Sequence, residues 1–203
     1  ILLMSWIAFG ALLLGAVSLI DDRRGLSAKT RFVAHSVVAG AAVALSANGV
    51  QWWLAAAAVV ALVWLINLYN FMDGSNGLAG GMTVVGFVTY ALAAMSVEPQ
   101  LSMTAAAIAG AGLGFLVLNF HPARIFLGDV GSIPLGFLAG ALGLWGWSHG
   151  AWPVWFPALA FAPFIADATV TLLRRLARGE KAWQAHREHY YQRLVQLGAT
   201  HVR

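Results

Sequence analysis

Seven mostly apolar stretches organise this chain, at about 2–20, 31–46, 52–68, 78–97, 101–118, 133–147 and 152–173. A helix rises about 1.5 Å per residue, so roughly 20 residues cross about 30 Å of hydrocarbon. The second and sixth stretches are short and lean on flanking polar residues. No stretch alternates apolar with polar residues, and unpaired backbone is too costly in lipid, which leaves helices as the spanning element. The predicted fold is all-α, a polytopic membrane protein with about seven transmembrane helices. Composition agrees: of 203 residues, 60% are hydrophobic and 10% charged, against about 25% charged in soluble domains. An ordinary soluble enzyme, a disordered segment and a disulfide scaffold are excluded. With no Cys there is no thiolate chemistry either. The chain opens at Ile1 inside an apolar run, without Met or a basic leader, and is expected to be an internal or C-terminal part of a longer protein.

The connections fall into two sets. Residues 21–30, 69–77, 119–132 and 174–203 lie on one side, and 47–51, 98–100 and 148–151 on the other. All twelve Lys and Arg belong to the first side, which the positive-inside rule makes cytoplasmic. The net charge of +4 is thus topological and does not point to nucleic acid. Asp21, Asp22, Asp73, Asp129, Glu180 and Glu188 share that side, Asp167 lies in the inner part of the last span, and Glu98 faces out. Residues 1–173 are read as a transmembrane helical domain with cytoplasmic active-site loops at 21–30, 69–77 and 119–132. Residues 174–203 form a cytoplasmic basic and histidine-bearing segment.

Three loops carry the polar chemistry. The first holds Asp21-Asp22 with Lys29 nearby. Adjacent carboxylates repel unless a cation compensates, and such coupling suits proton transfer or Mg²⁺ binding; a solvated acidic cap fits the segment equally. The second, Asn70-Phe-Met-Asp73-Gly-Ser-Asn76-Gly77, interrupts the apolar pattern where irregular backbone is tolerated only against a cavity or protein. Its oxygens suit a hard cation that keeps phosphate oxygens as further ligands, and a plain capping turn is the bland alternative. The third runs from Asn119 through Phe126-Leu-Gly-Asp129, with its Asp at a helix start where free N–H groups favour anions. Phe126 either stacks on a base or packs.

In the C-terminal segment, His186 and His189 stand three apart with Arg187 between them. A metal pair, a phosphate clamp and a solvated juxtamembrane helix all fit. A transition-metal site would want a third convergent ligand, so phosphate binding is the better functional reading. His35, His149 and His201 carry no functional claim, and His35 is expected to hydrogen-bond between helices.

Taken together, Asp21-Asp22, Asn70-x-x-Asp73-Gly-x-Asn76-Gly, Phe126-Leu-Gly-Asp129-x-Gly-Ser and the basic-histidine run at 186–193 resemble glycosyltransferase family 4, the polyprenyl-phosphate N-acetylhexosamine-1-phosphate transferases. The C-terminal run is closer to the O-antigen-initiating branch than to the triple-histidine loop of the peptidoglycan translocase. Asn76 departs from the Asp of many bacterial members. The resemblance spans nearly the whole chain and implies that further helices precede it in a full member.

The resemblance implies transfer of N-acetylhexosamine-1-phosphate from a UDP-sugar to undecaprenyl phosphate with release of UMP, at the bacterial inner membrane. Mg²⁺, or Mn²⁺ in its place, would offset charge on the diphosphate. Asp129 and Asn70 would be metal ligands, and Asp21 or Asp22 would deprotonate or position the lipid phosphate. Asp73 would support the metal or the diphosphate. Asn119 and Phe126 would hold uracil, and Lys29, Asn76, His186, Arg187 and His189 would contact substrate. Expected partners are UDP-N-acetylhexosamine, undecaprenyl phosphate and the bilayer, with a homodimer as one arrangement. The rivals are a multipass transporter, which would want polar residues near the bilayer midplane, and an intramembrane aspartyl protease, whose Gly-Asp signature Leu127-Gly128-Asp129 echoes in part.

Overall fold

The computed structural model describes residues 4–46, 50–180 and 188–196. Over these the chain is helical: α1 (Ser5–Arg24), α2 (Ala28–Ser46), α3 (Trp52–Phe71), α4 (Leu78–Ala94), α5 (Pro99–Asn119), α6 (Gly128–Ser148), α7 (Phe156–Ala160), α8 (Ala162–Ala177) and α9 (Tyr190–Gln196). Helices α1, α3, α5 and α6 are long and apolar enough to cross a membrane, and α4 is a shorter apolar helix. The all-α polytopic fold expected from hydropathy is the one found.

α6 is the axis of the bundle. Of its apolar window 67% is buried, against 22–28% in α1, α3 and α5, and it packs on α1, α2, α3 and α4. Its glycines allow this. A Cβ at Gly136 would stand 2.6 Å from the Leu65 carbonyl and 2.8 Å from Ile66 Cα, so α3 and α6 touch backbone to backbone, as small residues permit in membrane bundles. Three of the polar side chains buried there are paired. Tyr69 and Thr83 hydroxyls meet at 2.7 Å, Tyr90 donates to the Ala139 carbonyl at 3.0 Å, and the Trp152 indole donates to the Gly143 carbonyl at 2.9 Å. Nδ1 of buried His35 has no hydrogen-bond partner among the described residues, so the expected helix–helix bond is not made at that atom.

The seventh apolar stretch, expected as one span over 152–173, is broken at Phe161 into the five-residue α7 and the longer α8. Pro157 and Pro163 sit in the first turns of the two helices, where proline's missing N–H costs nothing, whereas inside a continuous helix each would remove a bond. α8 runs on through Arg174 and Arg175 to Ala177 and is tied to α3 by Trp64 Nε1 donating to Thr169 Oγ1 at 3.1 Å.

Candidate active site

Four helix ends meet at one end of the bundle. Asp21 lies in the last turn of α1, Arg31 in the first turn of α2, Asn70 in the last turn of α3 and Asp129 in the first turn of α6. Local signals build the α1–α2 corner. Gly25, at φ +68°, closes α1 by donating to the Asp21 carbonyl at 2.7 Å, a left-handed conformation that favours glycine. Asp21 Oδ1 accepts the Leu26 N–H at 2.6 Å, and Ser27 Oγ accepts the Thr30 N–H at 3.1 Å, capping α2. The turn brings Arg31 back onto Asp21, with Nη1 3.2 Å from Oδ2, and the same nitrogen is 3.9 Å from Asp129 Oδ2.

Across this corner Asn70 Nδ2 donates to Asp129 Oδ1 at 2.7 Å and to Ser132 Oγ at 3.1 Å. Asp73, on the loop after α3, accepts the Gly128 N–H. Its carboxyl is pushed up from 3.8 to about 6, first by burial and then by the neighbouring Asp129 charge, with the Gly128 bond opposing both. Three carboxylates and one amide thus share a site in which Arg31 pairs with two of the acids.

The two longer loops are stapled by Asn119. Its Oδ1 accepts the Gly77 N–H at 2.9 Å and its Nδ2 donates to the Ile125 carbonyl at 2.8 Å, with the side chain only 4% exposed. Gly77 itself is at φ +75°, and a Cβ there would press on the Phe120 ring at 2.9 Å. Phe126, by contrast, is 76% exposed on the same loop as the Asp129 helix start.

The C-terminal segment docks against α3 and α8. Asp167 Oδ1 accepts the Tyr190 N–H at 3.0 Å and the Thr171 hydroxyl at 3.2 Å, and lies 3.3 Å from His189 Nδ1; Oδ2 accepts the Tyr191 N–H at 3.3 Å. The His189 ring is buried and stacks on Phe71 at 6.2 Å between centroids. Burial lowers its pKa, with Asp167 opposing. Arg174 lies over the Tyr190 ring at 5.2 Å, and Arg178 pairs with Glu188. Tyr191 Oη donates to the Phe71 carbonyl at 3.0 Å and accepts from Gln192 Nε2 at 3.1 Å. Burial pushes this phenol up to about 12.

The structure therefore gathers Asp21, Asn70, Asp73 and Asp129, and leaves other expected residues elsewhere. Asp22 and Lys29 are exposed, and Arg31 rather than Lys29 makes the ion pair with Asp21. Asn76 is half-buried on the α3–α4 loop. The Asn119 amide, expected to reach a base, is spent on two backbone groups, because a buried loop junction must satisfy its own polar atoms. His189 points into the fold and not out to a ligand, for the same reason: Asp167 and Phe71 claim its ring. His186 and Arg187 lie outside the described residues. Arg31, Ser132, Tyr191 and the anchoring role of Asp167 were missed. Arg31 had read as topological charge; the Ser27 cap sets where α2 begins and so where Arg31 turns inward.

Among the described residues no three acidic or imidazole groups form a ready metal cage. The donor set still has the chemistry of a hard cation: carboxylate and amide oxygens, with the Asp129 charge helping to raise the Asp73 carboxyl. A divalent ion held by one or two carboxylates, its shell completed by phosphate oxygens, fits such a set.

A family model described as glycosyl transferase family 4 matches residues 4–146, every site-bearing helix end except the docked C-terminal segment. The chain belongs to glycosyl transferase family 4. Within that family it is 30% identical to a probable undecaprenyl-phosphate N-acetylglucosaminyl 1-phosphate transferase of Bacillus subtilis, over 98% of this chain and 60% of that protein. It is 28% identical to a decaprenyl-phosphate N-acetylglucosaminephosphotransferase of Mycobacterium tuberculosis, over 96% and 57%. A shorter match, 43% over 94 residues, is to a phospho-N-acetylmuramoyl-pentapeptide-transferase of Moorella thermoacetica, covering 46% of this chain and 30% of that protein. The chain spans about 60% of the length of the family relatives it matches end to end.

Proposed function

We propose that this chain carries the active site of a polyprenyl-phosphate N-acetylhexosamine-1-phosphate transferase, facing the cytoplasm of a bacterial cell. The donor is a UDP-N-acetylhexosamine, with N-acetylglucosamine the sugar named in two of the relatives, and the acceptor is undecaprenyl phosphate or a close analogue. The product lipid starts a cell-envelope polymer, an O-antigen in the reading drawn from the C-terminal run. The observation that carries the proposal is the meeting of Asp21, Asn70, Asp73 and Asp129, from α1, from α3 with its following loop and from α6, at one end of an apolar bundle. An aqueous sugar nucleotide and a headgroup phosphate can both reach such a place.

In the reaction an oxygen of the lipid phosphate attacks the sugar-bearing phosphorus, and the bond to the UMP oxygen breaks. Asp129 with the Asn70 amide oxygen, supported by Asp73, would hold Mg²⁺ or Mn²⁺, which when bound supplies positive charge against the diphosphate. Asp21, fixed by the Leu26 N–H and Arg31, is placed to accept a proton from the lipid phosphate or to orient it. Arg31 offers a guanidinium fork suited to phosphate oxygens, and Asn70 holds Asp129 in one orientation. Phe126 offers an exposed ring on which uracil can stack. An apolar groove of about 370 Å³ between α3, α6 and residues 154–158 supports a lipid acceptor. Its α3 wall runs from Leu65 to Leu54, about 8 to 24 Å along the helix from Asn70 at the usual rise, a course an isoprenoid tail can follow away from the headgroup.

The test is UMP release from UDP-N-acetylhexosamines by the full protein in proteoliposomes containing undecaprenyl phosphate and Mg²⁺. Activity that EDTA abolishes, and that Asp129→Ala and Asp21→Asn remove without loss of membrane insertion, is expected. Near-normal turnover in both variants overturns the reading.

A further inference from the structure

The docked C-terminal segment meets the loop after α3 at the Tyr191 hydroxyl. Tyr191 Oη donates to the carbonyl of Phe71, the last residue of α3, and receives the backbone N–H of Gly74 as well as Gln192 Nε2. One donation and two acceptances use the whole capacity of a phenol. Phe71 and Gly74 bracket Asp73 in the loop that follows α3, and a Cβ on Gly74 would overlap the Tyr191 oxygen. The position of Tyr191 is in turn set by Asp167, whose two carboxylate oxygens take the N–H groups of Tyr190 and Tyr191 from a separate helix, α8. Asp167, expected in the inner part of the last span, is the anchor of a strap, half-buried and engaged at both oxygens.

We propose that Tyr191, anchored by Asp167, is a positioning residue for the reaction: it clamps the backbone on both sides of Asp73 and so sets where that carboxylate stands relative to Asp129. This inference rests on the function proposed above and deepens it. The clamp acts on a group of the reacting site and contacts no substrate itself, so it governs turnover more than binding.

The experiment is a double-mutant cycle on the full protein in proteoliposomes, measuring kcat and both KM values for UMP release. Tyr191→Phe, which loses the hydroxyl and keeps the ring, is expected to lower kcat about fivefold, the rate equivalent of one lost hydrogen bond, with both KM values within about twofold. Asp167→Asn, which can no longer accept at both oxygens, is expected to move kcat in the same direction. Gly74→Ala, whose new methyl meets the hydroxyl, is expected to lower kcat further. Adding Tyr191→Phe to Gly74→Ala removes the overlapping atom and should raise kcat above that of Gly74→Ala alone. Independent, multiplying losses overturn the clamp, as does a Gly74→Ala protein as active as the unmodified one. A change confined to KM overturns it too. No UMP release from the unmodified protein would instead overturn the functional reading.

Discussion

Asn70 and Asp129, 59 residues apart in the chain, meet across 2.7 Å where the last turn of α3 faces the first turn of α6. The bond is possible because Gly136 lets the two helices approach backbone to backbone one to two turns further along. A contact of the candidate site thus depends on a packing contact deeper in the bundle.

That dependence makes Gly136→Ala a sharp probe. Its methyl has no room against Leu65 and Ile66, so helices must separate, at a cost of about 2 kcal/mol for overpacking. A lower melting temperature in detergent is expected, with activity lost alongside. An unchanged melting temperature would contradict the close approach.

Asn70→Ala should cost a comparable amount of stability and act on the site directly. Removing a hydrogen bond to a charged group is worth about 2 kcal/mol, and Asp129 loses the donor that fixes its orientation. A fall in kcat of at least about tenfold is expected in the UMP-release assay, with insertion intact; turnover equal to the unmodified protein would refute the role.

Asp73 gives the pH prediction. Its folded pKa of about 6 lies above its ordinary 3.8, so the folded state holds this proton more tightly than the unfolded one. Its contribution to stability is fully present below about 3.8 and is lost as pH rises through about 6. Asp73→Asn should therefore flatten the decline of the melting temperature between these values and leave the protein more stable at neutral pH, though inactive. Parallel melting curves for the two proteins across that window would disprove it.

Phe126→Ala should leave stability nearly untouched, within about 0.5 kcal/mol, since an exposed side chain away from the core is removed. Base–aromatic stacking is worth about 1–3 kcal/mol, so KM for the sugar nucleotide should rise about tenfold while Phe126→Trp keeps it low. Isothermal titration with UDP checks the same point without turnover.

Much of this protein was legible in residue order. The apolar stretches announced an all-helical membrane bundle because lipid offers the backbone no other way to satisfy its polar groups. The acids at 21, 73 and 129 stood out because charge is scarce in such a chain. Hydropathy failed at the helix ends. It placed Asn70 and Asp129 in loops, whereas α3 continues to Phe71 and α6 begins at Gly128, since helical hydrogen bonding runs past the last apolar residue. It also joined α7 to α8, missing what Pro163 does to a helix.

Residue types and their spacing were enough to name the family, because carboxylates, amides and an aromatic ring keep their properties wherever they lie. Which of them face one another is a different kind of fact. The choice of Arg31 over Lys29, the spending of Asn119 on two loops, and the turning of His189 and Asp167 into a strap all came from packing. Each depends on groups distant in the chain competing for the same buried hydrogen bonds, and that competition exists only once the helices have come together.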